Sequence, residues 1–312
     1  MVNPKVKEIC KDIKALKIQG AREVAKWAVK ALAIQASESK ATTVESMGGE
    51  LIEVADMLAA TRPTEPMMRN SLMFVFSKIK KENLKNTKEL RELIKAEEKS
   101  YLSSLDKSIS AIAEYGAKEM PKGGTILIHC HSHTVVGVAK RAHEIGKGVK
   151  AICCETRPLY QGRITARELA EAGVPTKLIV DSAVKSFIAE ADAVLVGADS
   201  IDSVGNLINK IGTSTIALVA FERDVPVYSA AELYKFDPMT LWGSITKIEE
   251  RDPSEVADPK SLEGVDIRNP AFDLTQAKYI TGYITERGVI PPQGLMGTAM
   301  GKGISIENPM NR

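Results

Sequence analysis

The pattern of apolar and polar positions changes character near residue 121. Up to that point apolar residues recur at helical spacing, and beyond it short apolar runs alternate with amphipathic segments. Val6, Ile9, Ile13, Leu16 and Ile18 fall close to the 3.6-residue period of a helix. Gln19-Gly20-Ala21-Arg22 interrupts the pattern and AREVAKWAVKALAIQA resumes it, so residues 3–37 predict two helices. A polar, small-residue stretch over 37–49 leads to a third, ELIEVADMLAAT. In Thr61-Arg62-Pro63-Thr64-Glu65-Pro66 the two prolines forbid helix continuation and stiffen a turn. Residues 72–120 are helical again and heavily charged, which reads as the solvated face of long helices. An all-helical N-terminal domain over 1–121 follows, closed by Pro121-Lys122-Gly123-Gly124.

Residues 122–312 read as an α/β domain. Strands are expected at 125–129, 149–154, 176–180, 193–197, 226–229 and 244–248, with helices at 135–145, 165–172, 183–189 and 211–222. Short apolar runs separated by helices call for a doubly wound parallel sheet covered on both faces. The tail FDLTQAKYITGYITERGVIPP predicts a Thr-capped helix ending near Arg287-Gly288.

In a sheet of this kind the strand carboxyl ends line one crevice. Polar residues fall there repeatedly. His129-Cys130-His131-Ser132-His133-Thr134 follows the first strand, Glu155-Thr156-Arg157-Pro158 the second, Asp181 the third and Gly197-Ala198-Asp199-Ser200 the fourth. Cys130 precedes a helix N-terminus among histidines, a setting expected to lower a thiol pKa. Asp199 follows the apolar run AVLVGA, a setting suited to a proton-carrying carboxyl. A polar loop around a buried cysteine is the plainer reading of the first stretch taken alone. Three of the four histidines lie there, yet no CxxC pair accompanies them, so no metal is expected. The four cysteines, Cys10, Cys130, Cys153 and Cys154, make no disulfide framework, and the adjacent pair should point to opposite faces of a strand.

Gly20, just before Arg22 at a helix start, makes an anion seat of free N–H groups and a guanidinium, although a C-cap glycine beside a surface arginine fits the same residues. Arg62, held by prolines, suits a ligand-binding guanidinium or a surface turn. Asn209 and Lys210 are expected at the start of a helix, and Lys235 near a strand end. Gly137, Gly146 and Gly148 give no dinucleotide fingerprint.

Composition narrows the partners. With 44% hydrophobic and 26% charged residues and a formal net charge of +2, the 312-residue chain is a globular protein without the concentrated basic face of a nucleic-acid platform. Bound anions must be held by a few placed cations and amides. No apolar run reaches the ~18–20 residues of a membrane helix, and MVNPKVKEICKDI has no apolar signal core, so a cytoplasmic location is expected.

Taken in order, QGAREVA, RPTEP, ILIHCHSHTVVG, CCETRPLYQGRITARELAEAGVPTKLIVDSA, VLVGADSI, GNLINKIGT and ITERGVIPP resemble one known family. It is shared by methylthioribose-1-phosphate isomerase, the regulatory subunits of eukaryotic initiation factor 2B, and archaeal ribose-1,5-bisphosphate isomerase. The resemblance implies a helical N-terminal domain followed by a Rossmann-like C-terminal domain. It implies a catalytic pair, Cys130 and Asp199, which the purely regulatory subunits generally lack, and hence an enzyme. It implies phosphate binding at Gly20, Ala21, Arg22 and Glu23, at Arg62, and at the amides of Val135, Val136 and Gly137, with Asn209, Lys210 and Lys235 completing the site. The methylthioribose enzymes usually carry Arg-Gly-Ala-Pro and Asn-Thr-Gly where this chain has Gln19-Gly20-Ala21-Arg22 and His131-Ser132-His133. Extra cationic and donor groups fit a substrate with two phosphates. The implied reaction is conversion of α-D-ribose 1,5-bisphosphate to D-ribulose 1,5-bisphosphate, without cofactor or metal, in a homo-oligomer (dimer or hexamer) activated by AMP. Its product would feed an archaeal RuBisCO in nucleotide breakdown.

Overall fold

A computed structural model describes residues 1–62 and 65–304, so the Pro63 and Thr64 of the expected Arg62 turn lie outside the described residues. The chain forms two compact units, one built from Met1–Asp106, Tyr234–Ser244 and the chain from Ala299, the other from Lys107–Leu233 and Ile245–Thr298.

Helices α1 (Pro4–Lys14), α2 (Ala21–Glu38), α3 (Val44–Thr61), α4 (Pro66–Ile79) and the first part of α5 (Thr87–Glu119) make up the first unit. The division at residues 106/107 therefore falls inside α5, while the change of texture near 121 marks that helix's end. Asn3 caps α1 by accepting the Lys5 N–H at 2.8 Å. Gly20 precedes α2 at φ 80°, a conformation glycine adopts without a Cβ penalty. The buried face of α2 is rich in alanine (Ala25, Ala28, Ala31), which lets α3 and α4 pack closely on it. Helix α3 starts six residues before the expected position 50, because Thr43 caps it by accepting the Ser46 N–H at 3.1 Å. Asn70 ties the returning segment to α4, donating to the carbonyls of Tyr234 and Phe236 at 2.7 Å each.

The second unit is built on a seven-stranded sheet. Its strands are β1 (Thr125–Ile128), β2 (Lys150–Cys154), β3 (Thr176–Ile179), β4 (Ala193–Val196), β7 (Val227–Ala230), β9 (Gly282–Thr285) and β10 (Gly288–Ile290), in the order β10-β9-β7-β4-β1-β2-β3. All neighbours are parallel except the β9–β10 pair. Helices α6 (His133–Glu144), α7 (Gln161–Glu171), α8 (Val184–Phe187) and α9 (Thr213–Phe221) connect the strands, and α10 (Leu295–Gly301) closes the fold's described part. The core joins Ile126, Ile128 and Leu195 of the central strands to Val135, Val138 and Ala142 of α6. This is the doubly wound α/β architecture the pattern called for. The chain winds outward from β1 to β2 and β3, then crosses to β4 on the other side of β1. The reversal opens a crevice between the carboxyl ends of β1 and β4. Registers Ile128↔Cys153 and Ile128↔Leu195 bring the ends of β1, β2 and β4 level.

Three expectations fail. The tail is not a helix: β8 (Phe272–Thr275), a 3-10 turn (Ala277–Tyr279), β9 and β10 occupy it. Tyr283-Ile284-Thr285 is β-branched and aromatic, all of β9 is buried, and Gly288 at φ 111° turns a hairpin instead of ending a helix. Residues 244–248 form no strand; an isolated bridge between Glu250 and Pro270 follows them. Asn209 and Lys210 do not open a helix but end β6 (Leu207–Lys210), which lies between β5 (Ser200–Ile201) and β8 in a small antiparallel sheet. Helix α9 begins only after the Gly212 turn at φ 100°.

Candidate active site

Cys130 is the second residue past β1, and its backbone is left-handed at φ 70°. Non-glycine residues there cost about 1–2 kcal/mol, so neighbours must impose the conformation. Its N–H donates to Thr156 Oγ1 at 2.9 Å, and its C=O accepts from Thr165 Oγ1 at 2.9 Å. Helix α6 then starts at His133. The Val136 N–H is used inside the helix, donating to Ser132 O at 2.9 Å. By helix geometry the open amides are those of His133, Thr134 and Val135, so an anion seat on α6 sits earlier than Val136 and Gly137. Thr134 donates its hydroxyl to Ala230 O at 3.0 Å, so in its 2.7 Å contact with Ser132 it accepts, leaving the Ser132 oxygen as an acceptor.

From the other side of the crevice comes Asp199, half-buried, its N–H donating to Ile208 O at 2.9 Å. Gly197 permits this approach: a β carbon there would lie 3.1 Å from Ser132 Cβ and 3.8 Å from Asn209 Oδ1. Asn209 and Lys210 are both buried. Asn209 donates to Thr213 Oγ1 at 3.0 Å. The Lys210 ammonium lies over the Phe272 ring, 5.2 Å from its centroid, and among the described residues it meets no carboxylate in an ion pair. A buried ammonium over a ring, in a crevice with open amides, is suited to an anionic ligand.

The charges of the site act on the thiol. Burial pushes Cys130 up to about 11; the Lys210 charge and the His131 N–H pull it down, and the Asp199 and Asp181 charges add to the rise. The expectation of a lowered thiol pKa is therefore reversed. Desolvation outweighs the lysine, and burial disfavours the charged forms of His129 and His131. His129 is buried and its pKa is lowered by burial; its Nε2–H donates to Ile211 O at 2.8 Å, leaving Nδ1 without a proton and 3.4 Å from Thr156 Oγ1. His131 is likewise lowered by burial and donates from Nδ1 to Thr165 Oγ1 at 3.1 Å.

One group of possible metal ligands exists among the described residues: ligand atoms of His129, Cys154 and Asp181 lie within 4.8 Å of one another. Both Asp181 oxygens already accept backbone N–H groups, from Thr156 at 2.8 Å and Arg157 at 2.7 Å, and burial holds the Cys154 thiol up at about 12. That donor set serves the loop, and nothing in it calls for an ion.

The other expected residues lie in the first unit. Gly20, Ala21, Arg22 and Glu23 begin α2; the Val24 N–H is used, donating to Gly20 O at 3.0 Å. Arg22 pairs with Asp106 at 2.6 Å and Glu23 with Lys26 at 2.7 Å. Arg62 is buried and pairs with Glu65 at 2.9 Å. Lys235 is buried at the end of a 3-10 turn. Within the second unit, Cys130, Asp199, Asn209, Lys210 and the start of α6 meet at one crevice.

Residues 17–292 match the Initiation factor 2 subunit family. The chain belongs to this family. The match includes every candidate residue named above. Ribose 1,5-bisphosphate isomerase of Thermococcus kodakarensis is 43% identical over 293 residues, covering 92% of this chain and 91% of that one. Methylthioribose-1-phosphate isomerase of Acetivibrio thermocellus is 36% identical over 302 residues, covering 91% and 88%. A solved structure of translation initiation factor eIF-2B from Pyrococcus horikoshii OT3 covers 97% of this chain and 100% of its own, with a TM-score of 0.80 at 29% identity. The family thus holds both isomerases and initiation-factor subunits on one fold, and the side chains must decide between them. Among the described residues no helix is long and apolar enough to cross a membrane.

Periodicity could not single out Thr165, the buried helical threonine behind Cys130, or Asp273. Asp273 reaches across from β8 to accept the Gly212 N–H at 2.7 Å and the Ser214 N–H at 3.1 Å. It thereby fills the N-terminus of α9 with a carboxylate and leaves the start of α6 as the open one at this crevice.

Proposed function

We propose that this chain is an aldose–ketose isomerase converting α-D-ribose 1,5-bisphosphate to D-ribulose 1,5-bisphosphate. The observation that carries the reading is the meeting of a thiol, a carboxylate and a buried ammonium at the sheet's switch point. An initiation-factor scaffold has no need of that trio. The sugar's anomeric carbon bears a phosphate, so its ring must open before isomerisation. Asp199 donates a proton to the ring oxygen. Cys130, as thiolate, removes the C2 proton to give a phosphoenolate and returns a proton at C1. The two roles support each other: a protonated Asp199 no longer presents the charge that holds the thiol up, so the acid form of one favours the base form of the other.

Phosphate is held in the second unit by Lys210, Asn209 and the first amides of α6; for Gly20, Ala21, Arg22, Glu23, Arg62 and Lys235 of the first unit the assignment rests on the family resemblance alone. Cationic side chains and open helix amides both supply charge-assisted bonds of the kind doubly phosphorylated sugars require. Homo-oligomerisation, activation by AMP and supply of an archaeal RuBisCO belong to the same proposal. Sizing the protein by light scattering and assaying it with and without AMP tests the first two.

The 36% identical relative favours methylthioribose 1-phosphate as the second substrate to try. Offering purified protein each sugar phosphate and following ketose formation decides the matter. Ketose from the bisphosphate is expected. Ketose only from methylthioribose 1-phosphate would replace the substrate, and ketose from neither would remove the enzymatic reading. Running the reaction in deuterated water addresses the mechanism: deuterium in the product is expected from proton transfer, whereas a hydride shift in a dry pocket incorporates none.

A further inference from the structure

We propose that Thr156 and Thr165, with Asp181 behind the first, are positioning residues that hold Cys130 in its left-handed conformation and so aim its thiol. The inference deepens the isomerase reading and rests on it only for its kinetic arm.

Cys130 and Thr156 stand at φ 70° and 64°, neither being glycine. For a β-branched residue such as Thr156 this is a conformation that surroundings must enforce, and clusters of this kind concentrate at functional sites. Two neighbouring loops and a helix enforce it here. The Asp181 carboxylate accepts two successive N–H groups, of Thr156 at 2.8 Å and Arg157 at 2.7 Å, fixing the loop after β2. That loop presents Thr156 Oγ1 to the Cys130 N–H at 2.9 Å. From the opposite side α7 presents Thr165 Oγ1 to the Cys130 carbonyl, also at 2.9 Å.

The donor directions follow without choice. A carbonyl only accepts, so Thr165 donates to Cys130 O and must itself accept from His131 Nδ1–H, at 3.1 Å. Both polar groups of one peptide residue are thus held by threonine hydroxyls from two different elements. Thr156 and Thr165 are each fully buried, and Cys130 itself is half-buried. Helix α7 reaches this close because residue 162 is glycine: a β carbon there would sit 1.7 Å from Cys154 O and 2.9 Å from Thr156 Oγ1. Serine would preserve each hydroxyl, and valine would preserve each shape without it. The clamp touches neither Lys210 nor the amides of α6, so it serves the reacting atom and not phosphate binding.

The experiment compares Thr156→Val and Thr165→Val with Thr156→Ser and Thr165→Ser in the full chain. Two readouts are taken: kcat and KM on ribose 1,5-bisphosphate, and the pH profile of Cys130 alkylation by iodoacetamide, located by peptide mass spectrometry. Each valine variant should lose about a hundredfold in kcat with KM nearly unchanged, the size expected for a reacting group misplaced by about 1 Å. The alkylation profile of Cys130 should shift in the same variants, and serine should restore both. If the valine variants keep wild-type kcat and an unshifted profile, the positioning role is overturned. If a valine variant does not fold, Asp181→Asn takes its place, with the same loss expected and the same null result overturning the idea. A wild type that turns over no sugar bisphosphate while the valine variants still shift the alkylation profile would sink the substrate assignment and leave the clamp standing.

Discussion

Replacing Gly162 by alanine tests whether the approach of α7 to the end of β2 holds the crevice together. The added carbon would lie 1.7 Å from Cys154 O, whereas ordinary contact begins near 3.4 Å. The obstacle is the backbone of the last residue of β2, a strand paired with β1 and β3, so it cannot swing away as a side chain would. The start of α7 must retreat by about 1.5 Å, and Thr165, three residues on and on the same helical face, retreats with it. Its 2.9 Å bond to Cys130 O is then broken. Overpacking against a fixed backbone costs about 1–3 kcal/mol, and the buried carbonyl left without its donor about 1–3 more. A total of about 2–6 kcal/mol in a unit of this size lowers Tm by an amount centred on ~10 °C. Thermal unfolding followed by circular dichroism measures the shift, and kcat measured well below the new Tm should fall as well. A Tm within 2 °C of wild type, a threshold set from about 2–4 °C per kcal/mol, together with normal kcat would refute the reasoning.

Cys130→Ser and Asp199→Asn should each abolish turnover while ligand binding by calorimetry persists, since both residues are assigned to chemistry; near-normal kcat in either removes that residue's role. Lys210→Met should raise KM by roughly tenfold or more, for a lost charge-assisted contact of about 1.5–3 kcal/mol, and should move the alkylation midpoint of Cys130 upward from about 11, because the ammonium pulls it down. A downward move would contradict the electrostatic account. Stability should fall in alkali: burial raises Cys130 to about 11 and Cys153 and Cys154 to about 12, above the ordinary thiol value, so the folded state keeps protons that the unfolded chain releases. That contribution is complete below the unfolded thiol pKa and is lost as pH rises toward 11–12; a Tm flat from about pH 9 upward would disprove it. On the acid side the sign reverses, because burial lowers His129 and His131 and the unfolded chain protonates first, so Tm should drop as pH falls below the ordinary histidine value.

Much of the crevice is legible in the chain itself. Short apolar runs followed by polar residues announce parallel strands and mark their carboxyl ends, and local pattern places Cys130 and Asp199 there because both features lie within a few residues of a strand. The tail and the Asn209-Lys210 stretch resisted the same reading. A four-residue strand such as β6 or β9 owes its conformation to partners far away in sequence, and its own residues carry too short a period to declare it. The proton state of Cys130 was hidden for a related reason. Neighbouring histidines promise a cationic setting, but their charge depends on how deeply the fold buries them.

The sequence by itself determined the helical first region, the doubly wound sheet and the identity of the thiol and carboxylate, since these follow from periodicity and residue type. Only the tertiary structure decided that two buried threonines and Asp181 grip the backbone of Cys130, that Asp273 closes one helix N-terminus while another stays open, and that desolvation outweighs Lys210 at the thiol. These depend on distances between segments tens of residues apart, which no local pattern encodes.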